Sequence, residues 1–137
     1  MRTVVDKEVE VSESRTTKDP EEFLPLSPAT THIMLALADG EKHGYAIMRE
    51  VERLTNDEVS MGPGTLYGSI KRMLGAGLIA ETEERPDPDM DDERRRYYQL
   101  SGLGERVLSA ETERLATLVR AADSKKVRRL RPSHGEA

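Results

Sequence analysis

The sequence predicts a mainly α fold with a small β-hairpin, and three observations predict it. Three short stretches between residues 28 and 76 carry apolar residues at helical spacing and are punctuated by Gly40, Asn56 and Gly77. Two β-prone runs, LIAETEE at 78–84 and RRRYYQL at 94–100, then flank the polar segment PDPDMDD. A long amphipathic run closes the pattern, from about 102 to 122.

Residues 1–23 are polar and mostly acidic, and read as a flexible N-terminal arm, although a brief V-E-V alternation at 9–11 would allow a strand. The folded part is expected to begin near Leu24 to Leu26. Ser27-Pro28 is a helix start, a hydroxyl cap followed by proline in the first turn. Ile33, Met34 and Leu37 share one side of that helix, and Gly40 closes it. A second helix runs from about Gly44 to Thr55 with Tyr45, Ile47, Met48, Val51 and Leu54 as its apolar stripe. The third occupies roughly 63–76, with Leu66, Ile70, Met73 and Leu74 buried and Thr65, Ser69 and Arg72 on another face beside Gly68. Gly77 ends it, because glycine tolerates the left-handed conformation found just past a helix.

The two β-prone runs and their charged connection make a wing. On the second run Arg94, Arg96, Tyr98 and Leu100 share one face, and Arg95, Tyr97 and Gln99 the other. One of the two adjacent tyrosine rings is expected beneath the wing and the other partly exposed. Ser101 can cap the fourth helix, whose apolar positions are Leu103, Val107, Leu108, Leu115, Leu118 and Val119. Packed only on a small three-helix body, so long a helix would leave apolar surface exposed, and a second copy of the chain is the natural cover. The order helix, helix, helix, hairpin, helix is that of a winged helix-turn-helix with a C-terminal dimerisation helix. The expected division is an arm at 1–23, a winged domain at 24–101, the dimerisation helix at 102–123 and a flexible basic tail at 124–137.

Composition narrows the function. The chain of 137 residues has 36% hydrophobic and 4% aromatic residues, so its core must rest on Leu, Met, Val, Ile and Ala. It has no cysteine, which removes disulfides and thiolate chemistry. No apolar run approaches the roughly 20 residues needed to cross a bilayer, and MRTVVDKEVEVSES lacks the apolar centre of a signal peptide, so a cytoplasmic protein with no membrane partner is expected. The net charge of −5 argues against indiscriminate coating of nucleic acid. The charge is unevenly placed, however. Residues 81–92 hold seven acids and one Arg, and Arg94, Arg95 and Arg96 follow at once. Screening over about 10 Å at 0.1 M salt lets a local basic surface act despite distant acids.

In a helix-turn-helix the second helix of the pair enters the major groove. Helices two and three are that pair here. Thr65 and Ser69 could bond phosphate or base edges, Gly68 would allow close approach, and Lys71 or Arg72 could reach phosphate or guanine. His32, His43 and His134 are too scattered for a metal site, and the acids Asp87, Asp89, Asp91 and Asp92 lack the glycine and terminal glutamate of a calcium loop. No serine, histidine and acid fall at the spacing of a triad. No catalytic, metal or cofactor role is expected.

HGYAIMREV at 43–51, GTLYGSIKRMLGAGLI at 64–79 and RRRYYQLSGLG at 94–104 resemble, in order and spacing, three signature stretches of the PadR family of bacterial transcriptional regulators. The resemblance spans about Leu26 to Ala122. It implies a homodimeric repressor on the double-stranded DNA of an inverted-repeat operator. By resemblance Tyr67 and its neighbours lie at the DNA, with Lys42, His43 and Tyr45 near the start of the supporting helix and Arg94 to Arg96 on the second wing strand. Dimerisation would use the C-terminal helix positions above with Ile33 and Leu37 of the first helix. The family commonly has proline where this chain has Gly68, which loosens the first turn around Tyr67. Its multidrug-binding branch stacks planar ligands on tryptophan, which is missing here, so any small-molecule effector has no readable identity. The rival reading is a winged helix used for protein–protein assembly through its acidic loop.

Overall fold

A computed structural model describes residues 19–82, 85–86 and 94–127, the side chains of 85–86 and 94–95 excepted. The V-E-V stretch, the acids at 87–93, His134 and the tail beyond 127 lie outside the described residues. The fold begins earlier than the sequence suggests, with a 3-10 helix at Pro20–Phe23 whose cap, Asp19, accepts a hydrogen bond from Glu21 N at 3.0 Å. It lies on the C-terminal helix, and Phe23 packs against the core. One apolar ring in a polar segment gives no periodicity, so only the tertiary contact reveals it.

Helix α1 spans Pro28–Leu37, α2 Gly44–Leu54, α3 Pro63–Ala76 and α4 Gly102–Ser124. The expected caps are present. Ser27 Oγ accepts from Thr30 N at 3.1 Å, and Ser101 Oγ accepts from Gly104 N at 2.9 Å. Gly77 follows α3 at φ 80°, in the left-handed region, with its N–H donated to Leu74 O. Gly40, at φ 147°, stands beyond the end of α1 rather than at its last turn.

The strands are β1 at Lys42–His43, β2 at Ile79–Glu81, β3 at Arg85–Pro86, β4 at Arg94–Arg95 and β5 at Tyr97–Leu100. The wing is antiparallel, with Ile79 opposite Leu100 and Glu81 opposite Tyr98, and β3 continues it against β4. The sheet order is β1-β5-β2, so a strand of two residues before α2 adds a third member that periodicity cannot detect. Tyr98 is buried and Tyr97 half-buried, the division expected for the pair.

The core gathers Ile33, Met34 and Leu37 from α1, Ile47 and Val51 from α2, Leu66, Ile70 and Met73 from α3, and Val107 and Leu108 from α4. This corrects the expected dimer surface. Ile33, Leu37, Val107 and Leu108 are at most 7% exposed in a single chain, and therefore hold it together internally. The fully buried positions of α4 end at Glu111, because the body is too small to bury a helix of 23 residues, about 35 Å at 1.5 Å per residue.

Candidate nucleic-acid interface

The turn that sets α3 against α2 is held by short hydrogen bonds. Thr55 Oγ1 donates to Val51 O at 2.8 Å and accepts from Val59 N at 3.1 Å. Asn56 and Asp57 both take left-handed backbone angles, at φ 52° and 66°, which reverses the chain within two residues. Gly62 and Pro63 then start α3 with no side-chain cap, so its first N–H groups are not claimed by a capping side chain.

On α3, Thr65, Tyr67, Lys71 and Arg72 are exposed. Ser69 is not with them. It is 1% exposed, inside the stripe formed by Leu66, Ile70 and Met73, and its Oγ accepts from Arg72 Nη2 at 3.2 Å. Positions 66, 69, 70 and 73 follow the i, i+3, i+4, i+7 pattern, so the signal was present but was overridden by the polarity of serine. Ser69 thus steers Arg72 from behind. Gly68 is half-buried, and a Cβ there would meet Arg72 Nη1 at an ordinary 3.7 Å, so close packing does not demand glycine.

At the start of α2, His43 is the N-cap, with Nδ1 accepting from Ala46 N at 3.1 Å. That bond fixes the imidazole plane, which stands edge-on to Tyr97 at 5.3 Å. Lys42 is engaged with Asp39 at 2.6 Å, and the Lys42 hydrogen bond holds the Asp39 carboxyl below its usual range. Tyr45 is 49% exposed and so is not in the apolar stripe, and Leu54 is likewise exposed at the far end of the helix. The Arg49 guanidinium sits over the Tyr45 ring at 5.6 Å. Arg49 was missed from sequence, although its place one turn after Tyr45 was the available signal. Tyr67 leans back from α3 onto Gly44.

On the wing, Arg96 is exposed and ion-paired with Glu81 at 3.5 Å. The side chains of Arg94 and Arg95 lie outside the described residues. Burial, with a smaller contribution from nearby Glu81, raises the pKa of Tyr98. Exposed Thr65, Tyr67, Lys71, Arg72, Tyr45 and Arg49 form the surface of the helix pair, a mixture of rings, hydroxyl and cations. Such a surface can bind phosphate and read base edges. Among the described residues there is no cluster of three His, Asp or Glu able to hold a metal ion. Elsewhere, Leu115, Leu118 and Val119 stand 38%, 55% and 42% exposed on the free half of α4, whereas Leu103 is half-buried.

Residues 33–110 match the profile of a family described as transcriptional regulator PadR-like. Two relatives are similar in sequence. The uncharacterized 37.1 kDa protein in transposon TN4556 of Streptomyces fradiae is 34% identical over 86 residues, which cover 63% of this chain and 22% of that protein. The transcriptional regulator Rv3488 of Mycobacterium tuberculosis is 32% identical over 89 residues, covering 65% of this chain and 77% of the relative. The chain therefore spans only about a fifth of the Streptomyces protein. Among solved structures, a PadR family transcription regulator from Clostridium difficile R20291 superposes with a TM-score of 0.60 at 21% identity, covering 72% of this chain and 97% of its own. Bacillus subtilis PadR in complex with operator DNA gives 0.54 at 20% identity, covering 63% and 47%. Both share the fold, which accounts for the three helices, wing and long fourth helix.

Proposed function

Because the chain belongs to the PadR-like family of transcriptional regulators, we propose that it is a homodimeric, sequence-specific DNA-binding repressor of an inverted-repeat operator. Members of this family are transcriptional regulators rather than enzymes. The exposed face of α3 carries the reading. Thr65, Lys71 and Arg72 are exposed, with Tyr67 half-exposed over Gly44, on a helix whose other side is sealed in the core. Pro63, which has no N–H of its own, opens a first turn without a side-chain cap, and the backbone N–H groups that follow it suit a phosphate. The structure of Bacillus subtilis PadR with operator DNA supports the same use of a shared fold.

Dimerisation uses the free half of α4, where Leu115, Leu118 and Val119 cover those of a second copy. Two recognition helices then enter major grooves about 34 Å apart, one helical turn of DNA. Residues 24–101 act as the DNA-binding unit, 102–123 as the dimerisation helix, and the arm and basic tail flank them. None of the described helices is long and apolar enough to cross a membrane, and the protein acts on DNA in the cytoplasm. A small molecule that relieves repression would have to favour a different placement of the two recognition helices.

The test is fluorescence anisotropy on duplexes from the upstream region of its own gene, with scrambled DNA as control and salt varied. Selective binding by two chains per site, weakening steeply with salt, supports the reading. A duplex selected from random sequence by the protein itself replaces the upstream DNA if the target lies elsewhere. Failure to enrich any sequence would overturn the reading.

A further inference from the structure

The two surfaces on which the proposed function rests, the exposed face of α3 and the free half of α4, belong to helices joined end to end by a small polar staple. After Gly77, Leu78 N donates to Met73 O at 3.0 Å and completes the C-terminal cap of α3. The next two carbonyls are both taken by the start of α4. Ser101 Oγ donates to Gly77 O at 2.6 Å, and Ser101 N donates to Leu78 O at 3.0 Å. The same Oγ caps α4 by accepting from Gly104 N. Gly104 lies so close to Leu78 O that a Cβ would fall inside 3.0 Å of that backbone oxygen. The C-terminal end of one helix therefore faces the N-terminal end of the next, an arrangement their dipoles favour. The hydrogen bonds of the joint run through backbone and one short side chain, which leaves little slack.

We infer that Ser101 and Gly104 are specificity-determining positioning residues: they set the angle between the recognition helix and the dimer-forming half of α4, and so the half-site spacing that the dimer accepts. The inference rests on the dimeric DNA-binding reading. The lever is long. Leu118 follows Ser101 by 17 residues, about 25 Å along a helix, so a turn of about 10° at the joint shifts one end by about 4 Å, close to the rise of about 3.4 Å per base pair. Other contacts keep α4 attached when the staple is weakened. Val107 and Leu108 are in the core, and Glu111 accepts from Leu26 N at 3.4 Å. Loss of the Ser101 hydroxyl loosens an angle without detaching the helix.

The experiment uses the full chain, with Ser101→Ala as the loosened variant and Ser101→Thr as the conservative one that can still cap and donate. Gly104→Ala is avoided as the main probe, because it collides with backbone. The chain has no cysteine, so Gly75→Cys, at an exposed position of α3 with open space beside it, takes a single spin label per copy. Pulsed electron–electron resonance on the DNA-free dimer is expected to give one narrow distance for the parent, a broad distribution for Ser101→Ala and a narrow one for Ser101→Thr. On selected operators whose half-sites are moved one base pair apart or together, the parent should lose about tenfold in affinity. Ser101→Ala should lose less than about threefold while holding an isolated half-site within about twofold of the parent. A Ser101→Ala variant that keeps the narrow distance and the spacing preference overturns the inference, as does an equal loss on half-site and full operator. No dimer distance and no selective binding in the parent would instead sink the dimeric reading itself, and the inference with it.

Discussion

Tyr67, in the second turn of α3, lays its ring across Gly44, the first residue of α2, where a Cβ would fall closer than 3.0 Å to the phenolic oxygen. The two helices of the pair thus meet through an aromatic ring and a missing side chain. Gly44→Ala is expected to cost about 1–2 kcal/mol by overpacking, read by urea denaturation. In a Tyr67→Ala background the same change should cost less than about 0.5 kcal/mol, because its partner is gone. Equal costs in both backgrounds would show that the ring steps aside freely.

The exposed stripe on α4 separates folding from assembly. Leu118, at 55% exposure, supports no core in the single chain, whereas Val107 is fully buried. Leu118→Glu should leave helix content and monomer melting intact while sedimentation shifts from dimer to monomer, and operator affinity should fall at least tenfold with loss of two-site binding. Val107→Glu should unfold the chain, since it buries a carboxylate among apolar groups. A dimer that survives Leu118→Glu would place the interface elsewhere.

Arg72 and Ser69 should act as one unit. Arg72→Ala should weaken DNA binding and, if the guanidinium holds a phosphate, lower the salt slope by about one. Ser69→Ala removes the hydroxyl that receives Arg72 Nη2 and should weaken binding less, by about two- to fivefold, roughly 0.4–1 kcal/mol. In the Arg72→Ala background, Ser69→Ala should have no further effect on affinity. An additive loss would mean that Ser69 acts through α3 packing.

Glu111 ties α4 to the segment ahead of α1. It is 2% exposed, receives Arg114 Nε and Nη2 at 2.8 Å each, and accepts from Leu26 N. The Arg114 hydrogen bond outweighs burial and lowers its pKa below the ordinary 4.5. A depressed folded-state pKa contributes stability that is present above the unfolded value and lost as pH falls through the folded one. Stability should therefore decline below about pH 4.5, and Glu111→Gln should flatten that part of the profile while costing about 1–3 kcal/mol at neutral pH. An unchanged acid limb in Glu111→Gln would assign the acid sensitivity to other carboxylates.

Asp57, at φ 66° beside Asn56 at φ 52°, holds a conformation that glycine adopts without steric cost. Asp57→Gly should gain about 0.5–1 kcal/mol at equilibrium, less the added chain entropy of glycine in the unfolded state. A loss on substitution would mean that the aspartate side chain itself supports the turn.

What could be read from the sequence was local. The bounds of α2 and α3, the caps at Ser27 and Ser101, the left-handed Gly77 and the wing all follow from periodicity, capping chemistry and turn residues within a few positions of each other. Strand alternation likewise implies that one of Tyr97 and Tyr98 is buried, and the pairing of the wing makes it Tyr98. The errors share a cause. Polarity by itself puts Ser69 outside, and hydrophobicity by itself fits Ile33, Leu37, Val107 and Leu108 to a dimer, yet whether an apolar stripe faces its own body or another chain depends on how far that body extends. The 3-10 helix at 20–23, the short strand β1 and the clamp at Glu111 join residues far apart in sequence, so no window contains their signal.

The sequence by itself therefore determined the fold class, the order of its elements and the family motifs, because these depend on short-range spacing. Only the tertiary structure decided that Ser69 lies on the sealed side of α3, that His43 is spent as a cap, that Tyr67 rests on Gly44, and that Ser101 joins α3 to α4. Each of those depends on distance in space, which the packing of the whole chain fixes.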